Sequence, residues 1–155
     1  GYLWDEGEPK KAFDKAISVA NKVAMSLSDK FCVDRHKSHF YDLVKNKLDI
    51  TFANEDEMKS LINAKNFDEI ISFGKEINKH LIITRGEKGA ISINNKKVTE
   101  IGINKNLNIV DLTGAGDLFA AGYLHGHISN LSEEDCLKKG TEMSSRIIQQ
   151  IGARL

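Results

Sequence analysis

The run Asp111-Leu112-Thr113-Gly114-Ala115-Gly116-Asp117-Leu118-Phe119-Ala120-Ala121-Gly122 reads as a strand end, a glycine turn and a helix start in twelve residues. Backbone amides at a helix N-terminus, with glycines that let a ligand come close, make an anion site, and phosphate is the natural guest. Two familiar phosphate loops fail. Gly-Lys-Ser/Thr occurs nowhere, and Phe119 stands where a dinucleotide loop places its third glycine. Asp117 narrows the chemistry further. A carboxylate in the first helical turn would repel a merely bound phosphate, a cost offset only if the charge has a task, and that task is general base. A hydroxyl substrate would give its proton to Asp117 while the amides of Gly114, Ala115 and Gly116 neutralise charge on a transferred phosphoryl group. The spacing alone also admits a tight turn followed by an ordinary first-turn acid that interacts with the helix dipole.

Several elements must hold this run in place. Pro9 starts a helix expected over 9–22, with Glu6 and Glu8 at its positive end and Ala12, Phe13, Ala16, Ile17 and Ala20 forming a buried face. Val23 to Leu27 reads as a strand, and Phe40, Leu43, Val44 and Leu48 mark a second helix. Asp49 to Ala53 is a further strand, and Asn54 caps the helix that carries Met58, Leu61 and Ile62. A helix over 67–78 leads to the buried strand Leu81 to Thr84. Residues 90–93 and 97–101 then form a hairpin around Asn94-Asn95-Lys96. A last strand near 108–111 feeds helices over 117–128 and 132–151, the second capped by Ser132. Alternating strand and helix implies an α/β fold with a mostly parallel sheet and an antiparallel hairpin.

Composition excludes several partners. Lys+Arg and Asp+Glu each total 22, so no basic excess exists to hold nucleic acid. No apolar run approaches the ~20 residues of a membrane span. Cys32 and Cys136 are isolated, the pattern of reduced thiols in a cytoplasmic protein. The pairs His36/His39 and His125/His127 each lack a nearby third ligand, and His36 and His39, beside Arg35 and Lys37, read as a solvated helix face. Tyr2, Trp4 and Phe13 are expected in the core. The opening Gly1-Tyr2-Leu3-Trp4 reads as the tail of an earlier strand, so the chain is expected to be a fragment whose exposed sheet edge favours self-association, a homo-oligomer included.

The Asp111–Gly122 run resembles the C-terminal signature of the ribokinase-like PfkB carbohydrate kinases. Asn54-Glu55-Asp56-Glu57 resembles the family's Asn-x-x-Glu motif, and Thr84-Arg85-Gly86-Glu87-Lys88-Gly89 its Thr-x-Gly-x-x-Gly nucleotide loop, in the family's order. The resemblance implies a three-layer αβα fold, of which residues 1–155 would form the C-terminal nucleotide-binding portion of a single domain, without the N-terminal half and lid. It implies an ATP-dependent phosphotransferase with Asp117 as base and Gly114, Ala115 and Gly116 as anion hole. Asn54 and Glu57 would order the waters of Mg²⁺, and Thr84, Gly86 and Gly89 would touch nucleotide. Gly140, Thr141 and Ser144 resemble the segment bordering the adenine. Residues 147–153 resemble the stretch whose carbonyls, with an acid matching Asp111, hold a monovalent cation such as K⁺ in some members. Leu112 departs from the pattern, since a threonine commonly follows the first Asp. Leu27-Ser28-Asp29-Lys30-Phe31 and the run from Leu48 to Glu55 are most similar to adenosine-kinase-like members, which implies a nucleoside or sugar acceptor. The acceptor half being absent, a nucleotide-binding fragment or pairing module without turnover is the alternative.

Overall fold

Helices begin where the sequence supplies an acceptor for first-turn amides. Asp29, Asn54, Asn66 and Ser132 accept from the backbone N–H of Cys32, Glu57, Glu69 and Asp135. They open α2 (Lys30–Asp42), α3 (Glu55–Ile62), α4 (Phe67–Ile77) and α6 (Glu133–Ile147). α1 (Pro9–Val19) begins on its proline, and α5 (Ala115–Ile128) on Gly114. α3 and α4 stop on Asn63 and Asn78, whose left-handed backbone asparagine tolerates. These elements belong to a computed structural model that describes residues 8–154. Glu6 and the expected core residues Tyr2 and Trp4 lie outside the described residues.

Strands β1 (Ala24–Ser26), β2 (Ile50–Asn54), β3 (His80–Thr84), β4 (Ala90–Asn94) and β5 (Lys97–Ile101) form one sheet in sequence order. β1 and β2 are parallel, with Met25 opposite Thr51. β3 and β4 are neighbours across a five-residue loop, too short for a crossover, so they run antiparallel. Asn95 and Lys96, both with positive φ, close the antiparallel β4–β5 hairpin, as a two-residue turn of this hand requires. The sheet is therefore mixed.

The chain divides into two compact units. Residues up to Ile83 with Ile93–Lys97 make the first, and Thr84–Ser92 with Val98 onward the second. In the first, Leu27, Phe40, Leu43, Met58, Ile70 and Leu81 are fully buried, the apolar burial that stabilises the β1–β2 pair and its helices. In the second, α5 and α6 pack closely because glycines let them. A Cβ on Gly122 would lie 2.5 Å from the Lys139 carbonyl oxygen, and one on Gly140 would lie 2.8 Å from that of Phe119. Glu133 accepts hydrogen bonds from the Ser92 hydroxyl (2.7 Å) and the Tyr123 hydroxyl (2.6 Å), tying β4, α5 and α6 together, and burial pushes the Tyr123 phenol upward.

Three expectations change. α1 ends at Val19 and buries no residue: Phe13 and Ile17 are half-buried, while Ala12, Ala16 and Ala20 are exposed. Alanine methyls offer too little apolar area to hold a helix face down. Residues 108–111 form no strand, since the N–H groups of Val110 and Asp111 both donate to the Ile148 carbonyl, at 2.8 and 3.2 Å. Finally, α6 stops at Ile147, where the Gln150 amide tightens onto the Ile147 carbonyl and Gly152 takes a φ of 90°.

Candidate functional site

Asp111 anchors the second unit's site. Its Oδ1 accepts from the Thr113 amide (2.9 Å) and hydroxyl (2.7 Å), and its Oδ2 from the Gly152 amide (2.9 Å). These donors, Gly152 first, hold its carboxyl below the usual carboxylate range. Leu112 through Ala115 then forms a turn in which the Ala115 amide donates to the Leu112 carbonyl (3.1 Å). Gly114 sits at φ 78°, ψ 1°, the third position of a type II turn, where glycine avoids the strain another residue would meet. The Gly114 carbonyl accepts from Leu118, so α5 starts at once.

Of the amides expected to form an anion hole, that of Ala115 donates to the Leu112 carbonyl in this turn. The amides of Gly116 and Asp117 follow, at the second and third helical positions, where no intrahelical acceptor exists. Gly116 has an ordinary φ and nothing within 4 Å of where its Cβ would be. Neither strain nor packing in this chain requires a glycine there. The Asp117 side chain lies in the same turn and is exposed.

The loop from Thr84 to Gly89 also lies in the second unit, apart from its strand entry. Thr84 closes β3, Gly86 opens a 3₁₀ turn (Gly86–Lys88) at φ 55°, and the Arg85 amide donates to the Gly89 carbonyl (2.8 Å). Gly89 is fixed by close approach, because a Cβ there would come within 2.0 Å of the Ile101 carbonyl oxygen. Ile101 and the adjoining Gly102 line a cavity of about 580 Å³ with Glu100, Ile103, Asn104, Glu134, Lys138, Thr141 and Glu142. Thr141 and Glu142, both within the expected adenine segment 140–144, are thus on the cavity wall. Gly140 is enclosed by Phe119, so its small size serves helix packing, and Ser144 is half-buried with its carbonyl accepting from Ile148. The 100–104 rim and the α6 residues 134 and 138 were invisible to sequence reasoning. Their only local signal was Gly102 just past a strand. The Arg85 guanidinium meets the Glu100 carboxylate at 3.2 Å, which ties the loop to that rim.

In the first unit, Asn54 and Glu57 form a reciprocal cap. The Glu57 amide donates to Asn54 Oδ1 (2.8 Å), while Asn54 donates to the Glu57 carboxylate through its amide N (2.9 Å) and Nδ2 (2.8 Å). Glu57 is 4% exposed, and burial pushes its carboxyl upward. Each carboxylate oxygen carries one neutral donor, which leaves lone pairs for further contacts. Among the described residues no group of three or more His, Cys, Asp or Glu is arranged to hold a metal directly, and no helix is long and apolar enough to cross a membrane.

The pfkB family carbohydrate kinase profile matches residues 5–155. A nucleoside kinase of Methanocaldococcus jannaschii is 31% identical over 103 residues, covering 66% of this chain and 33% of the relative. A ribokinase of Lactococcus lactis is 33% identical over 107 residues, 69% of this chain and 34% of that protein. The crystal structure of adenosine kinase from Sinorhizobium meliloti superposes with a TM-score of 0.95 at 36% identity, covering 99% of this chain and 49% of that one. The chain therefore spans half or less of the length of these relatives, and its five-stranded mixed sheet with flanking helices has the ribokinase-like αβα fold of adenosine kinases.

Proposed function

The chain belongs to the pfkB family of carbohydrate kinases, and on that premise we propose that it supplies the nucleotide side and the base of an ATP-dependent transfer of phosphate to a nucleoside or sugar hydroxyl. Gly116 is the observation that carries the proposal. A glycine with ordinary φ, open surroundings and a place in the first turn of a helix costs about 0.5–1 kcal/mol relative to alanine, so its use lies in letting a ligand reach the amide.

In this reading the amides of Gly116 and Asp117 hold the oxygens of the transferred phosphoryl group. The Ala115 amide joins them only by leaving Leu112. The Asp117 carboxylate, exposed in the same turn, takes the proton of the attacking hydroxyl. The base of the donor nucleotide occupies the cavity at Thr141, between the apolar Ile101 and Ile103 and the polar rim, with Gly86 and Gly89 shaping the loop beside it. The Asn54–Glu57 pair, with a buried carboxylate and an exposed amide, fits a hard cation approached through water, and Mg²⁺ is the cation it would take. Asp111 Oδ2 accepts one N–H, from Gly152, and keeps a lone pair that a monovalent cation such as K⁺ could use; no step is assigned to K⁺. Cys32 and Cys136, buried and outside any disulfide, fit a reducing, cytoplasmic setting.

The similarity to adenosine and nucleoside kinases favours a nucleoside acceptor, and the match to ribokinase keeps a sugar in view. One observation favours a second reading, a nucleotide-binding module without turnover: the chain covers 33% of its nucleoside kinase relative. The test is Asp117→Asn in the turnover-competent protein. Retained nucleotide binding with turnover reduced by roughly 10²–10⁴ supports the base assignment, and near-normal turnover sinks it.

A further inference from the structure

The carboxylate of Asp111 bridges two segments that are far apart in the chain. Three hydrogen bonds run from it to two separate segments: Oδ1 to the amide and hydroxyl of Thr113, Oδ2 to the amide of Gly152. Thr113 enters the glycine turn, whereas Gly152 lies 41 residues on, in the segment that follows α6. The same two segments are joined a second time by the amides of Val110 and Asp111 on the Ile148 carbonyl. A third contact is steric, since the space beside Gly114 is filled by Ala153, whose Cβ lies 2.9 Å from where a Gly114 Cβ would be. The φ of 90° at Gly152 accompanies an amide aimed at the carboxylate rather than along a continued helix.

We propose that Asp111 is a positioning residue that binds the 148–153 strap to the glycine turn and so fixes the direction of the first-turn amides of α5. The proposal rests on the reading of that turn as the phosphate site. A carboxylate suits the task because both of its oxygens accept. Asparagine would keep one acceptor and turn an NH₂ toward the second donor, so it can hold Thr113 or Gly152 but not both. Alanine would hold neither. The turn itself stays closed by Leu112 and Ala115 in all three cases, which leaves its orientation, and not its existence, to Asp111.

The experiment compares the 155-residue chain with Asp111→Asn, Asp111→Ala, Thr113→Val and Ser132→Ala. The last removes the α6 cap without touching strap or turn. Amide exchange of Gly152 and Thr113 is followed by NMR, and binding of pyrophosphate and of ADP with Mg²⁺ by calorimetry, below each variant's Tm, in K⁺ and in Na⁺. Expected are a Gly152 amide protected in the wild type and released in both Asp111 variants, and affinity lowered about tenfold by Asp111→Ala, the worth of one hydrogen bond to a charged group. Asp111→Asn and Thr113→Val should fall between, Ser132→Ala should bind as the wild type does, and the order should be the same in both salts. Wild-type affinity in the Asp111 variants, an equal loss in Ser132→Ala, or a defect confined to K⁺ would each overturn the proposal. Should Asp111→Ala fail to fold, the asparagine and valine variants decide by the same criteria. A wild type that binds neither probe would overturn the phosphate-site reading itself, a result distinct from failure of the Asp111 variants alone.

Discussion

Glu57 and Asp111 sit in opposite environments, which shift their carboxyl groups in opposite directions. Burial raises the Glu57 carboxyl, so folding favours its protonated form. The associated stability is fully present below the unfolded value, about 4.3, and is lost as pH rises through the raised folded value. Asp111 runs the other way. The Gly152 and Thr113 donors depress it, so its contribution is present above about 3.9 and is lost as pH falls through the lowered folded value. Urea midpoints measured across pH should therefore show the advantage of wild type over Glu57→Gln shrinking on the alkaline side of the carboxylate range. The advantage over Asp111→Asn should shrink on the acid side. A flat difference for either variant contradicts its assignment. Glu57→Gln should also raise the Mg²⁺ concentration needed for nucleotide binding while leaving acceptor affinity little changed, which a Mg²⁺ titration at fixed nucleotide reads directly. Much of this was legible in the residues themselves. Asn54, Glu57, Gly114, Gly116 and Asp117 are local signals, since a cap or a glycine turn is written within four residues of its partner.

At the scale of elements, legibility followed whether the partner was near in sequence. The hairpin at Asn95-Lys96 and the cap at Ser132 were readable because turn and cap chemistry are local. The segment 108–111 has strand-like residues whether or not a ladder partner exists, and here its amides go to Ile148 instead. The cavity rim was unreadable for the same reason: Glu100 to Asn104 meet Lys138 to Glu142 only through tertiary packing. Nor does the sequence say which glycines serve packing and which serve ligand. Gly122 touches the Lys139 backbone, so Gly122→Ala should cost about 1–3 kcal/mol through overpacking and lower the Tm, as calorimetric scans would register. Asn54→Ala, which removes the side chain that caps α3, should cost about 0.5–2 kcal/mol in a denaturant titration. Gly116→Ala meets nothing and should gain up to about 1 kcal/mol, the opposite sign within the same helix.

For the whole molecule, the proportion of the relatives that this chain covers sets the expectation. The Thr84–Gly89 loop, the glycine turn and the Thr141 cavity are all present. The chain spans 49% of the adenosine kinase it superposes on, and we propose that these 155 residues alone do not hold an acceptor near attack distance. Such positioning can be worth ~7–11 kcal/mol, enough to abolish turnover by the 155-residue chain with adenosine, ribose or fructose offered separately. ATP consumption with any one of them would refute that expectation. Ile109, Val110, Leu112 and Ile151 stand exposed in the second unit, so the isolated chain should also self-associate, which sedimentation velocity over a concentration series measures. The central claim, that nucleotide phosphate docks on the turn at Gly116, is tested most directly by calorimetric titration of ADP with Mg²⁺ into this chain and into its Gly116→Ala variant. The account predicts measurable binding by the first, and binding weakened at least about tenfold in a variant whose Tm is unchanged or raised. Equal affinity in the two proteins would contradict it.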